Sequence, residues 1–171
     1  MQLVWKSLAV AAFGLFLAAA HTTALRSAPV EPASPLDKLV GRWVGEGFLG
    51  IKDANSESVK CRVTYIPADS HQLKQTVRCA SASGSIEVQS HIVHSAGAIT
   101  GSWSELTRNM RGDLSGKVTP RGFQVMVTGT DLSANMNVVI NGPRQIIEIQ
   151  FNNSSLIGLT LVLTKADQPT R

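Results

Sequence analysis

Metal-binding side chains are scarce in this sequence, which contains two cysteines and four histidines in 171 residues. Cys61 and Cys79 are 18 positions apart, with no Cys-x-x-Cys pair, so they lack the ligand spacing of a zinc site. His91 and His94 are three positions apart on a predicted strand and would face opposite sides of it. We therefore predict no metal site and no cofactor.

A strong excess of one charge is also missing. The chain has a net charge of +4, well short of the basic footprint of a nucleic-acid-binding protein. It contains no Gly-x-Ser-x-Gly elbow, no phosphate-binding loop and no dinucleotide-binding fingerprint. We predict no nucleic-acid partner, no catalytic residue and no enzymatic activity.

Long apolar runs are absent except near the N-terminus. Lys6 precedes an apolar stretch over residues 8–17, and small residues follow at 18–20, which is the pattern of a cleaved secretory signal. A membrane anchor is the alternative, but the stretch is shorter than the ~20 residues that cross a bilayer. We therefore predict a periplasmic or secreted protein without a transmembrane span after cleavage. In such a compartment Cys61 and Cys79 are expected to form a disulfide.

The sequence divides into four predicted segments. A signal peptide covers residues 1–20 and a proline-containing flexible lead covers residues 21–34; a folded domain follows over 35–166, with a tail at 167–171. Ser34 and Pro35 are typical of a helix start. They predict one short helical turn that covers one end of the domain.

From Gly41 onward, apolar and polar residues alternate with the period of β-strands, and no helix-period segment of ten residues occurs. Turn signals such as Asn141-Gly142 separate about ten strands. A hairpin centred near residue 70 would place Cys61 directly opposite Cys79. We predict an all-β, antiparallel up-and-down barrel, because closure removes the exposed edges of such a meander. A two-sheet sandwich is the alternative.

The opening of the first predicted strand resembles known barrel families. Gly41-Arg42-Trp43 resembles the G-x-W signature of the calycin superfamily, which includes lipocalins, fatty-acid-binding proteins and avidins. The longer string G-R-W-V-G-E-G resembles the G-x-W-x-G-x-G opening of nitrobindin-like haem-binding barrels. The resemblance implies a barrel-end motif in which the indole packs against the short helix; the motif residues are Gly41, Trp43, Gly45 and Gly47.

Two positions differ from these families. Lipocalins pack an arginine of the last strand across the tryptophan, whereas the last strand here offers Lys165 and the strand before it Arg144. Nitrobindin-like proteins hold haem through a histidine late in the chain, and the last histidine here is His94. We therefore expect no haem. The chain also resembles small exported bacterial proteins with paired cysteines, a likeness that implies no activity.

Candidate binding residues follow from the barrel. A ten-stranded barrel is wider than the eight-stranded barrels whose side chains fill the lumen, which favours a cavity. The predicted ligand-lining residues are Tyr65, Trp103, Glu105, Phe123 and Phe151, and Met126 and Met136 are further candidates. A predicted anion-binding patch on one hairpin comprises Arg108, Arg111, Lys117 and Arg121.

These features lead to one principal hypothesis and two alternatives. The principal hypothesis is an exported barrel that binds a small apolar or amphipathic ligand in its cavity, without catalysis. The first alternative is a packed structural or interaction module of the periplasm that binds no ligand. The second is an isomerase or cyclase whose acid–base group is Glu105, if burial raises its pKa.

Overall fold

A single closed sheet forms the domain. The structure is a computed structural model that describes residues 34–166; the predicted signal peptide, nearly all of the lead and the tail lie outside this range. A 3-10 helix, Pro35–Leu39, precedes ten strands. They are β1 (Gly41–Ile51), β2 (Glu57–Asp69), β3 (Gln72–Ser81), β4 (Gly84–Ser95), β5 (Ala98–Glu105), β6 (Met110–Thr119), β7 (Gly122–Gly129), β8 (Ser133–Asn141), β9 (Arg144–Asn152) and β10 (Leu156–Lys165).

Every strand pairs antiparallel with its neighbours in sequence, and β1 pairs with β10 to close the barrel. This topology confirms the predicted up-and-down barrel and rules out the two-sheet sandwich. Within the described residues, no helix is long and apolar enough to cross a bilayer.

Glycines on β1 allow the closing pair of strands to approach. Gly45 and Gly47 lie on the inward face of β1, opposite Leu163 and Leu161 of β10. A Cβ atom at either glycine would overlap the backbone of β10. Larger side chains would therefore push the two strands apart, which explains the structural need for glycine in the second half of the G-x-W-x-G-x-G string.

One end of the barrel is closed by the 3-10 helix. Ser34 caps the helix by accepting a hydrogen bond from the Leu36 amide at 3.3 Å, and its hydroxyl lies 3.1 Å from Nδ1 of His94 on β4. Leu36 and Leu39 are buried. After the helix the chain turns into β1 at Gly41, whose φ of 119° disfavours any residue with a side chain. We call this the closed end.

Trp43 joins the helix to the barrel. Its indole nitrogen donates a hydrogen bond of 2.6 Å to the Leu39 carbonyl, and the side chain has no exposed surface. Lys165 of β10 lies opposite, with Nζ 5.4 Å from the ring centroid, a distance suited to a cation–π contact. Of the two basic residues considered for this contact, Lys165 therefore makes it, and Arg144 is exposed.

The predicted disulfide is confirmed. Cys61 of β2 and Cys79 of β3 are directly paired in the sheet, with their Cα atoms 4.2 Å apart and their sulfur atoms bonded. Both side chains face the lumen and are buried. The bond therefore links two neighbouring strands from the inside of the barrel wall.

Removal of this disulfide should lower stability. We expect Cys61→Ser to reduce the free energy of unfolding by about 3 kcal/mol, because the bond restricts a loop of 18 residues in the unfolded chain. The melting temperature should fall by roughly 10 °C in a thermal scan followed by circular dichroism. The double variant Cys61→Ser/Cys79→Ser and the reduced wild type should melt at the same lower temperature. An unchanged melting temperature after reduction would contradict the stabilising role.

Candidate functional site

The lumen of the barrel changes in character from one end to the other. At the closed end the inward side chains are almost fully excluded from solvent; they include Trp43, Val63, Tyr65, Ile99, Phe123, Val138, Gln145 and Leu163. No free space for a large ligand is expected within such dense packing. A ligand would therefore have to enter from the other end of the barrel.

The opposite end, which we call the open end, is bordered by the loops at 52–56, 82–83, 106–109, 130–132 and 153–155. Several inward apolar side chains near this end keep partial exposure while packing on the core; they are Leu49, Ile86, Val127, Leu132, Met136, Ile149 and Leu159. Phe151 of β9 is also half-buried here, on the inward face beside Ala134. Partly exposed apolar side chains on an inner wall are the surface expected of a site for an apolar ligand.

Trp103 forms part of the inner wall rather than a free stacking surface. Its indole nitrogen donates a 3.0 Å hydrogen bond to the Thr128 carbonyl. The ring packs over Gly112 and Gly129, which face each other on β6 and β7; a Cβ atom at either would lie 2.8 Å from the ring. The glycine pair therefore provides the room that the indole occupies.

Glu105 lies on the same inward face as Trp103, at the open end, and is 3 % exposed. Its carboxylate accepts hydrogen bonds from the amides of Thr107 at 2.9 Å and Arg108 at 2.6 Å. Burial acts to raise the pKa of Glu105, but these hydrogen bonds outweigh it and hold the pKa below the usual value. The group is therefore an ionised brace for the β5–β6 loop, not a proton donor at neutral pH.

A cluster of polar side chains lies on the inner wall towards the closed end. The Tyr65 hydroxyl accepts hydrogen bonds from Nε2 of Gln75 at 3.1 Å and from Nε2 of Gln145 at 2.9 Å. Burial raises the pKa of Tyr65, so the hydroxyl stays neutral. Oε1 of Gln145 is buried and has no hydrogen-bond partner among residues 34–166. We call Tyr65, Gln75 and Gln145 the polar cluster.

Sequence reasoning proposed Tyr65 but missed both glutamines. Gln75 and Gln145 occupy positions where the strand alternation calls for an inward residue, and a polar residue at such a position is the available signal. Gln145 is the second residue of β9, close to the turn at 142–143, where a polar residue is unremarkable. Its contact with Tyr65 joins β9 to β2, two strands that do not pair.

The predicted ligand-lining residues divide between the two ends. Tyr65 and Phe123 are buried at the closed end, whereas Glu105 and Phe151 lie towards the open end. The methionines also divide, since Met136 faces inward and Met126 faces outward with 48 % of its surface exposed. The interpretation of Met126 as a cavity residue is therefore wrong, because Phe123 and Val125 set the opposite parity on β7.

The four basic residues predicted to form an anion-binding patch are not brought together. Arg108 is in the loop before β6, at the open end, and Arg121 is in the turn after β6, at the closed end. The strand between them spans about 30 Å at the usual rise per residue. Arg111 and Lys117 face outward between these points. The residues thus follow the outer wall instead of surrounding one mouth.

Two open grooves run across the outer wall. The larger, of about 890 Å³, crosses β6 to β10 and is bordered by outward polar side chains together with Met126 and Ile157. The second, of about 770 Å³, crosses β2 to β6 and includes His91 and Arg111. Within residues 34–166, no group of three histidine, cysteine or acidic side chains could hold a metal ion.

The role of Glu105 can be tested by pH. Because its folded-state pKa is depressed, its ionised form stabilises the fold above the unfolded pKa of about 4.3, and the effect disappears as pH falls through the folded pKa. We expect Glu105→Gln to reduce the free energy of unfolding by about 1–2 kcal/mol at pH 7 and by a smaller amount at pH 3, measured by urea denaturation. Glu148→Gln, on the exposed outer wall, is the control with little effect. An equal loss at both pH values would contradict the ionised brace.

Comparisons with known proteins show similarity at the level of fold. No protein-family model and no curated protein sequence matches the chain. The barrel is similar to the crystal structure of Rv2717c from M. tuberculosis, with a TM-score of 0.67 and 16% identity over 80% of this chain and 99% of that one. It is also similar to the S-type phycobiliprotein lyase CPES from Guillardia theta, with a TM-score of 0.53 and 12% identity over 79% and 92% of the two chains. These proteins share the antiparallel barrel architecture with this chain.

Proposed function

We propose that the protein binds a small apolar or amphipathic ligand inside the barrel, through the open end, and carries it without chemical change. The observation that carries this proposal is the difference in packing and exposure of the inward side chains between the two ends of the barrel. The closed end is packed and sealed by the 3-10 helix, whereas inward apolar side chains such as Leu49, Ile86 and Leu159 keep partial exposure near the open end. An inner wall of this kind favours burial of an apolar ligand.

The resemblance of the barrel-end motif to calycins also supports ligand binding inside the barrel. In this chain Trp43 seals the end of the barrel from which a ligand does not enter. The solved phycobiliprotein lyase with a similar fold is named for its action on a phycobiliprotein, and at 12% identity that activity does not transfer to this chain.

Catalysis is not part of the proposal. The principal acid–base candidate of the sequence, Glu105, has its carboxylate occupied by two backbone amides and its pKa lowered. A general acid working near neutral pH needs a raised pKa. A cavity carboxylate of this type is therefore suited to holding a loop in place.

We also propose that the protein works in the periplasm or outside the cell. Two features support this location: the signal-like sequence of residues 1–20 and the disulfide between Cys61 and Cys79. Disulfides persist in oxidising compartments and are rare in the cytosol.

A second candidate function is recognition of a partner through the outer wall. Outward apolar side chains lie on neighbouring strands at one part of this wall: Val44 and Phe48 on β1, Val162 on β10 and Ile146 on β9. Val162 and Ile146 are directly paired across the sheet. Phe48 is 65 % exposed, and an exposed apolar patch of this kind is a frequent feature of protein interfaces.

Dye binding to matched tryptophan variants separates the lumen from the outer wall. We expect the wild type to enhance the fluorescence of an apolar dye, and Ile86→Trp to weaken dye binding at least roughly ten-fold, because the larger side chain occupies the inner wall near the open end. Ile157→Trp is the control, since Ile157 is outward and 60 % exposed beside the larger outer groove. The reverse pattern would place the dye on the outer wall and contradict the proposal.

Native mass spectrometry identifies a carried ligand. We expect protein purified from the exporting compartment to show a reproducible excess mass that disappears on denaturation. A clean apo mass, together with no dye binding, would overturn ligand carriage and favour the interaction module.

A further inference from the structure

We propose that the polar cluster is the recognition site for the head group of the ligand, and that this head group is a neutral hydroxyl or primary amide on an otherwise apolar molecule. The inference rests on the proposed function, because it assumes that a ligand enters the lumen. It adds the chemical class of the ligand and its orientation, with the polar group towards the closed end and the apolar part towards the open end.

The polar cluster has unfilled hydrogen-bonding capacity. Gln145 has no exposed surface, and its Oε1 is an acceptor with no partner in the part of the chain that the structure describes. A buried polar atom left unpaired is costly, and such atoms are rare in folded proteins. The unpaired atom therefore marks a place that favours a hydrogen-bond donor, and because Gln145 and Tyr65 are 0 % and 2 % exposed, a head group reaches it only when neighbouring side chains of the packed end move aside.

The Tyr65 hydroxyl also has unused hydrogen-bonding capacity. It accepts hydrogen bonds from the side-chain amides of Gln75 and Gln145, so its own hydrogen is still available to an acceptor. The unused groups of the cluster therefore include a donor, the Tyr65 hydroxyl hydrogen, and an acceptor, Gln145 Oε1. A group that both donates and accepts satisfies the two together, and hydroxyl and primary amide groups have this property.

The surroundings of Tyr65 and Gln145 also determine which charge a head group can carry. Tyr65 and Gln145 are uncharged and are 2 % and 0 % exposed, and on the described strands every arginine and lysine except Lys165 projects outward. Lys165 lies against the Trp43 ring and is exposed. A carboxylate or phosphate at the cluster would lose its hydration without gaining a cation, which is strongly unfavourable. The site therefore selects against anionic head groups.

The surroundings fit the apolar remainder of such a ligand. Gln145 pairs in the sheet with Leu163 and Ile140, and Ile147 follows it on the inward face of β9. Ser90, opposite Gln75 on β4, extends the polar surface on the other side of the cluster. The polar groups therefore form a local patch on a wall that is otherwise apolar.

The test compares three probes with the same eight-carbon chain: octan-1-ol, 1-chlorooctane and octanoate. Their binding to the full chain is measured by displacement of an apolar dye at pH 7. We expect octan-1-ol to bind at least roughly ten-fold more tightly than the other two, the effect of about one well-placed hydrogen bond. The hydrophobic effect alone would favour 1-chlorooctane over the alcohol, so a preference for the alcohol reports the polar cluster.

Two variants locate the preference. Gln145→Met keeps the length of the side chain and removes its polar atoms, and Tyr65→Phe removes only the hydroxyl. Each folded variant should bind 1-chlorooctane as the wild type does and lose the preference for octan-1-ol. Gln124→Met, on the exposed face of β7, is the matched control and should retain it. Thermal scans verify that each variant is folded.

The outcomes separate the two proposals. If the wild type binds neither dye nor probe, ligand carriage fails and this inference fails with it. If the probes bind with equal affinity, or if the alcohol preference survives in Gln145→Met and Tyr65→Phe, carriage stands and the head-group site is refuted; a buried water then satisfies Gln145. If one variant does not fold, the other variant and the wild-type affinity ratios decide.

Discussion

The pairing of β1 with β10 is the constraint on which the barrel depends. All other strand pairs are formed by neighbours in sequence, and each closes only a short loop. The β1–β10 pair instead joins Trp43 to Lys165, from opposite ends of the folded domain. Without it, both strands would expose unpaired edges, which favour association with other chains. The backbone continues the pairing beyond the strands, through Lys52 to Ser155 and Ala166 to Arg42 hydrogen bonds of 2.8 Å.

Closure and sealing of one end are linked through the same short segment. Trp43 belongs to the closing strand, donates to the helix at Leu39 and carries Lys165 of β10 on its ring. Two residues later, Gly45 lets the two strands approach closely. The string from Gly41 to Gly47 therefore has a structural explanation in this molecule that does not require a bound haem. The consequence is a barrel with one packed end and one end bordered by loops.

The fold was predictable from local patterns, because strand alternation, turn residues and hairpin symmetry are properties of neighbouring residues. The pairing of Cys61 with Cys79 needed only the position of one turn. The candidate site was harder to predict from the sequence than the fold. The apolar character of Met126 predicts a cavity position, whereas strand parity points its side chain outward. The basic residues looked clustered in sequence, but a strand separates Arg108 from Arg121 by its full length.

Gln145 shows more clearly what local sequence patterns cannot predict. Its importance comes from a contact with Tyr65 across two intervening strands, and such a contact depends on how the barrel closes, not on local pattern. A glutamine on an inner wall also works against the stability of an apolar core, since its polar atoms must be paired. Packing alone would favour an apolar residue of similar size, such as methionine, at this position. Two side-chain amides around one buried hydroxyl are therefore not explained by apolar packing alone, and they are the physical reason why we propose ligand recognition on the inner wall rather than in the outer grooves.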